Sequence, residues 1–181
     1  MRSTARSSVL RPSPRDVADR DPEADDQGER RPPIVLPPGA GRWVSSGPGG
    51  RTTFKATGAD TGGHFGLFES VQGPRSRGPE LHYHRRMVEM FWVLEGRLHV
   101  EIDGVGYEAE PGAFALVPAG ALHRFNNPLD TPSRILIMFS PGDNREEYFE
   151  GLAEFARREG GASREEVVDL MHRYDQYLPG E

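Results

Sequence analysis

The sequence predicts an all-β protein: a small antiparallel β-barrel, with helices appended at its C-terminal end and a disordered tail at its N-terminal end. Three observations predict this. From Pro33 to Ser140, short apolar or alternating runs follow one another with glycines and prolines between them, the pattern of a sandwich or barrel. After Ser140 the apolar spacing becomes helical. Before Pro33 the chain is rich in Arg, Ser, Pro and Asp with nearly balanced charge, and such a segment cannot bury enough apolar surface to offset its ordering entropy. The expected organisation is a tail over 1–33, a barrel over 34–140 and a helical extension over 141–181 that packs on the barrel.

The expected strands come in order. Ile34 to Leu36, Trp43 to Ser45, Thr52 to Lys55 and Phe65 to Val71 precede a strongly apolar run, Met90 to Leu94. The last has the aromatic and branched composition of a buried strand. Arg97 to Ile102 and Tyr107 to Ala109 flank Asp103-Gly104, a dipeptide that signals a tight hairpin. Alternation sets His99 on the face opposite Leu98 and Val100. Phe114 to Val117, a fresh strand beginning at His123, and Arg134 to Phe139 complete the set. Asp143-Asn144-Arg145-Glu146 reads as a capping box opening a helix, with Tyr148, Phe149, Leu152, Phe155 and Ala156 facing the barrel and Gly160-Gly161 at its end. Ser163-Arg164-Glu165-Glu166 reads as a second capping box, before Val167, Val168, Leu170, Met171 and Tyr174. These aromatics are read as core packing, with a lid over the barrel mouth as the functional alternative.

Composition narrows the function. The net charge of -6 offers no basic field for nucleic acid. Lys55 is the only lysine, and there is no cysteine, which excludes disulfides, thiolate metal sites and a cysteine nucleophile. No apolar stretch approaches the ~20 residues that span a bilayer. The first residues carry arginines, including Arg30-Arg31, without the apolar segment of an export signal. A cytoplasmic protein without membrane association is expected.

The most specific feature is a set of three histidines and one glutamate in two blocks. The first block, GPELHYHRRMVEMFWVLEG, runs from Gly78 to Gly96 and carries His82, His84 and Glu89. The second, PGAFALVPAGALHRFNN, runs from Pro111 to Asn127 and carries His123. Neutral imidazoles plus a carboxylate suit a borderline divalent metal ion. Strand alternation points His82 and His84 the same way and Tyr83 the other. The turn from Arg85 to Val88 brings Glu89 back beside them, and Pro118-Ala119-Gly120 turns the chain before His123. Ligands converging from three strands require a curled sheet.

Both blocks resemble the two motifs of the cupin superfamily. The first family motif is Gly, a spacer, His-x-His, three or four residues, Glu, six residues, Gly; the chain matches it from His82 through Gly96, with four residues between His84 and Glu89. The leading spacer departs, since Gly78 lies four before His82 where six is usual. In the second block Gly112, Pro118, Gly120, His123 and Asn127 match the family motif at every position. The resemblance covers roughly residues 33 to 140. It implies a jelly-roll-like barrel around one divalent transition metal (Fe, Mn, Ni or Zn) held by His82, His84, Glu89 and His123. It also implies that Glu89 can leave the metal and act as a catalytic base.

Alternation further places Phe91 and Val93 on the Glu89 face and Phe125 on the His123 face, with Phe114, Leu116 and His64 as further pocket candidates. Such a pocket suits a small aromatic, enol or carbonyl compound better than a sugar phosphate. The expected activity is that of a metal-dependent dioxygenase, resembling the quercetin-cleaving cupins. A metal-assisted isomerase, cyclase or decarboxylase of secondary metabolism, or a non-catalytic small-molecule binder, is the alternative. Family likeness and the apolar edge of the N-terminal strands add the expectation of a homodimer.

Overall fold

The computed structural model describes residues 31–181. Most of the expected tail, residues 1–30, lies outside the described residues. Residues 31–41 belong to a unit of their own, and Arg42–Glu181 form the compact unit that carries everything below. Ile34 to Leu36 form no strand; two prolines follow at once, each lacking the amide that a ladder needs.

Nine strands follow: β1 (Trp43–Ser45), β2 (Arg51–Ala56), β3 (Gly66–Gln72), β4 (Val88–Glu95), β5 (Leu98–Ile102), β6 (Val105–Ala109), β7 (Phe114–Val117), β8 (His123–Asn126) and β9 (Ser133–Ser140). They build a six-stranded sheet in the order β1-β2-β3-β9-β4-β7 and a three-stranded sheet in the order β6-β5-β8, with every pairing antiparallel. The core lies between them. β9 alternates without a break, so Ser133, Ile135, Ile137 and Phe139 point inward. Phe68 and Phe91 from the large sheet and Leu98, Val100 and Phe125 from the small one complete a continuous apolar cluster. The β5–β6 turn is the expected one: Asp103 and Gly104 both take positive φ, 48° and 79°, as a two-residue hairpin turn demands.

Two helices follow, α1 (Arg145–Phe155) and α2 (Arg164–Arg173). Ser163 caps α2 with the expected capping box, its hydroxyl accepting from the Glu166 amide and Glu166 accepting from the Ser163 amide. The expected box on α1 is absent. Asn144 sits in the left-handed region (φ 54°) with no side-chain cap, Asp143 pairs with Arg86, and Glu146 instead accepts a hydrogen bond from the amide of Gly58. Long-range partners outbid the local motif. α1 also ends at Phe155, before Gly160-Gly161, and turns bridge the gap. Phe149 packs its ring against Phe68 at 4.9 Å and Phe139 at 6.2 Å, while Tyr148, Leu170 and Met171 form a second cluster between the helices. No helix among the described residues is long and apolar enough to cross a membrane.

Candidate metal centre

His82, His84, Glu89 and His123 meet where the two sheets come together. Glu89 lies on β4 of the large sheet and His123 opens β8 of the small one. The two other histidines lie on the segment leading into β4. That segment is not a regular strand: His82 makes an isolated antiparallel bridge with His123, and Tyr83 makes one with Tyr177. The extended geometry still sends the histidines inward and Tyr83 outward against the Tyr177 ring. One ligand atom from each of the four residues lies within 4.8 Å of the other three, and all four residues are buried.

Three backbone features hold this arrangement. Gly78 has φ +64°, and a Cβ there would stand 1.7 Å from the carbonyl oxygen of Phe125; only glycine lets the entry loop pass β8 so closely. Asn127 ties the end of β8 to the end of β3, its Nδ2 donating to the carbonyls of Gly73 (2.9 Å) and Thr131 (2.8 Å). Asp175, beyond α2, clamps the loop between the ligands, because its carboxylate accepts from the amides of Arg85, Arg86 and Met87 at 2.9 to 3.1 Å.

The imidazoles are pre-set in one tautomer. Each Nδ1 faces a backbone carbonyl: Glu80 for His82 (2.7 Å), Asp175 for His84 (2.6 Å) and Ala121 for His123 (3.0 Å). A carbonyl only accepts, so each Nδ1 must carry a proton. Each Nε2 is thereby left to present its lone pair to a common point, as outer-shell partners do for metal-bound histidines. At that point stands Glu89 Oε2, 2.7 Å from His123 Nε2, 3.2 Å from His84 Nε2 and 4.0 Å from His82 Nε2. Three lone pairs and a carboxylate facing one another in a dry site fit a cation. Without one, a proton takes its place. Burial, the largest influence on Glu89, favours its neutral acid, but the close imidazoles of His123 and then His84 outweigh it and hold the carboxyl well below the usual range. Burial likewise opposes charge on His123, yet the bond to Glu89 raises its pKa overall. Burial and then the His123 charge push His82 down to about 3.

His82 and Glu89 open onto a cavity of about 600 Å³. Phe125, Ile137 and Phe139 line its barrel side, and Arg145, Tyr148, Phe149, Met171 and Gln176 close the helical side. The helical aromatics thus both pack and roof the cavity. The pocket expectations need correction. Phe125 lines the cavity, but Phe91 and Val93 are sealed in the core and do not. Phe114 and Leu116 point outward, 54% and 49% exposed. β7 pairs Val117 with Glu89 and Phe114 with Trp92, so Ala115 and Val117 take the inner face. His64 sits in an exposed bend before β3. His99 faces outward against Glu108, opposite the buried Leu98 and Val100, as alternation requires. Sequence reasoning missed Asp175 and Gln176 altogether, read Arg145 only as part of a capping box, and took Tyr148 first as packing, with a lid over the barrel mouth as the alternative. The available signal was a charged residue at the head of an apolar helix face, which a capping reading absorbed.

Comparison with known proteins agrees with this architecture. Residues 69–139 match the family model described as "Cupin domain". The chain is 35% identical over 81 residues to "Polyketide synthase CurC" of Streptomyces cyaneus, covering 45% of this chain and 51% of that one. It is 35% identical over 66 residues to "Quercetin 2,3-dioxygenase" of Bacillus subtilis, covering 36% of this chain and 19% of that one. The chain therefore spans about half the length of the first relative and about a fifth of the second. Among solved structures, an RmlC-like cupin from Shewanella frigidimarina superposes with a TM-score of 0.54 at 21% identity, over 66% of this chain and 99% of that one.

Proposed function

We propose that this chain, whose residues 69–139 match the cupin domain model, is a cupin that works as a mononuclear metal-dependent enzyme on a small aromatic, enolic or carbonyl compound, with dioxygenase chemistry as the first reading. One observation carries the proposal: His82 and Glu89 of the four-ligand cluster lie in the wall of a cavity that Phe125, Phe139, Tyr148 and Phe149 also line. A divalent ion there would act as a Lewis acid on a substrate oxygen or bring dioxygen to it. The protein's own groups do the rest. The Nδ1–H bonds to Glu80, Asp175 and Ala121 fix the imidazoles. Phe125, Phe139 and Phe149 exclude water and hold a planar ring. Glu89, on the cavity wall, is the group placed to accept a proton from the substrate.

A second reading is a non-oxidative cyclisation or isomerisation, favoured by the likeness to a protein named as a polyketide synthase. The metal-loaded protein separates the two. Protein loaded with Fe, Mn or Ni and given flavonols or 1,3-diketones consumes oxygen with substrate loss on the first reading. Conversion without oxygen uptake establishes the second, and neither on any candidate leaves a binding protein. We further propose a homodimer in the cytoplasm. The exposed outer face of Trp92, Phe114 and Leu116 supports self-association.

A further inference from the structure

Arg145 is out of place for a helix-capping residue. It is buried, with 3% of its surface exposed, and lines the cavity beside His82 and Glu89. Its guanidinium is sandwiched among rings, 4.0 Å from the centroid of Tyr148 and 4.6 Å from that of Phe139. The Phe139 ring in turn meets His84 edge-on at 5.8 Å. Nη1 donates to the carbonyl of Tyr174 and Nη2 to the side-chain oxygen of Gln176, both neutral acceptors. Nε is buried without a hydrogen-bond partner among the described residues.

The two carboxylates whose charge reaches Arg145 are otherwise engaged. Glu89 belongs to the metal cluster. Asp175 spends both oxygens on three amides. A buried cation with no carboxylate bonded to it and an unsatisfied donor is costly, and buried orphans in native proteins call for an explanation. Burial also pushes its pKa below the usual guanidinium value, though an arginine stays charged.

We infer that Arg145 is a substrate-recognition residue that receives an anionic oxygen, the enolate or phenolate of a planar ligand lying in the cavity against the metal cluster. This rests on the proposed function and narrows its substrate class. The guanidinium, on the cavity wall and bonded only to neutral acceptors, supplies the positive charge for a charge-assisted contact. Other rings of the cavity wall, Phe125 and Phe149, suit a flat conjugated system. A neutral ketone gains far less there. The anion is favoured over its conjugate acid, so the ligand's enol ionises more readily when bound.

The test uses the full-length protein loaded with zinc, which has no redox chemistry, and benzoylacetone as probe, with butyrophenone as its mono-ketone control. Absorbance of the enolate reports affinity and the apparent pKa of the bound enol. In Arg145→Met, benzoylacetone affinity at neutral pH should fall roughly tenfold or more, and the bound enol's apparent pKa should rise by about one unit or more. Butyrophenone binding and zinc content should hardly change. Arg145→Lys, which keeps the charge and tolerates the site better, should recover part of both effects. Equal benzoylacetone affinity and pKa in wild type and Arg145→Met overturn the assignment, as does a Lys variant no better than the Met variant. Failure of wild-type zinc protein to bind the enolate overturns it too. In those cases a full zinc complement leaves the metal reading standing. Wild-type protein that takes up no zinc removes both.

Discussion

At the residue scale, the centre is a contest between one proton and one metal ion for the same lone pairs. The raised pKa of His123 means that in the metal-free protein an imidazolium faces the Glu89 carboxylate. That pairing stabilises the metal-free fold fully below the unfolded histidine pKa of ~6.5 and is lost as pH rises through the raised folded value. Metal binding has the opposite sign, because the ion needs His123 neutral. The dissociation constant for zinc or nickel should therefore rise about tenfold per pH unit below the His123 titration and level off above it. His82, held down to about 3, adds no proton in that range. An affinity flat from about pH 5 to 8 would contradict histidine ligation. A second expectation concerns Asp175. Asp175→Ala leaves three backbone amides without their acceptor and loosens the loop between His84 and Glu89. Metal affinity should drop roughly 10- to 100-fold, read by competition with a chelator. The four ligands were legible because their spacing is short and chemically odd. Asp175 and Arg145 were not, because they reach the site from some 60 to 90 positions away and carry no local periodicity.

At the element scale, the two helix starts show when a local signal suffices. Ser163 opens α2 at the surface, where Arg158 takes one oxygen of Glu166 and leaves the other free to accept from the Ser163 amide, and the capping box forms as written. Around Asn144, Arg86 and Gly58 claim the flanking acids, and the same kind of motif yields a left-handed residue instead. Ser163→Ala should lower stability by about 1 kcal/mol in chemical unfolding, whereas Asn144→Gly should be neutral or slightly stabilising since glycine accepts that φ freely. A large loss on Asn144→Gly would show that the side chain does cap. The strands that form were legible to within a residue or two because alternation is a strong signal, whereas Ile34 to Leu36 form none and His82 to His84 make only isolated bridges. Facing was less so: in β7 a four-residue run of apolar side chains gives no alternation to read, and only its pairing with β4 decides that Phe114 and Leu116 face out.

At the scale of the whole molecule, the outward face of β4 and β7 is the counterpart of the buried centre. Trp92 and Phe114 pack as tilted rings 6.1 Å apart on the edge of the large sheet beside Leu116, each about half exposed. If copies associate there, light scattering should report a dimer for the wild type and a monomer for Trp92→Glu, with metal content unchanged. A wild-type monomer would end that proposal. The curled pair of sheets was legible from strand count and ligand convergence. The roof of the cavity was legible only as the alternative to core packing, because a helix face that packs on a barrel and one that closes a pocket share the same apolar spacing.

The central claim is that His82, His84, Glu89 and His123 hold one cation. Elemental analysis of purified protein, wild type against His84→Ala, tests it most directly. The account predicts close to one transition-metal ion per chain in the wild type. It also predicts strong depletion in a variant that keeps its β-sheet circular dichroism and unfolds cooperatively, since the core of Phe68, Phe91 and Ile135 does not depend on the ion. Metal content that is negligible in the wild type after loading, or identical in the variant, would contradict it.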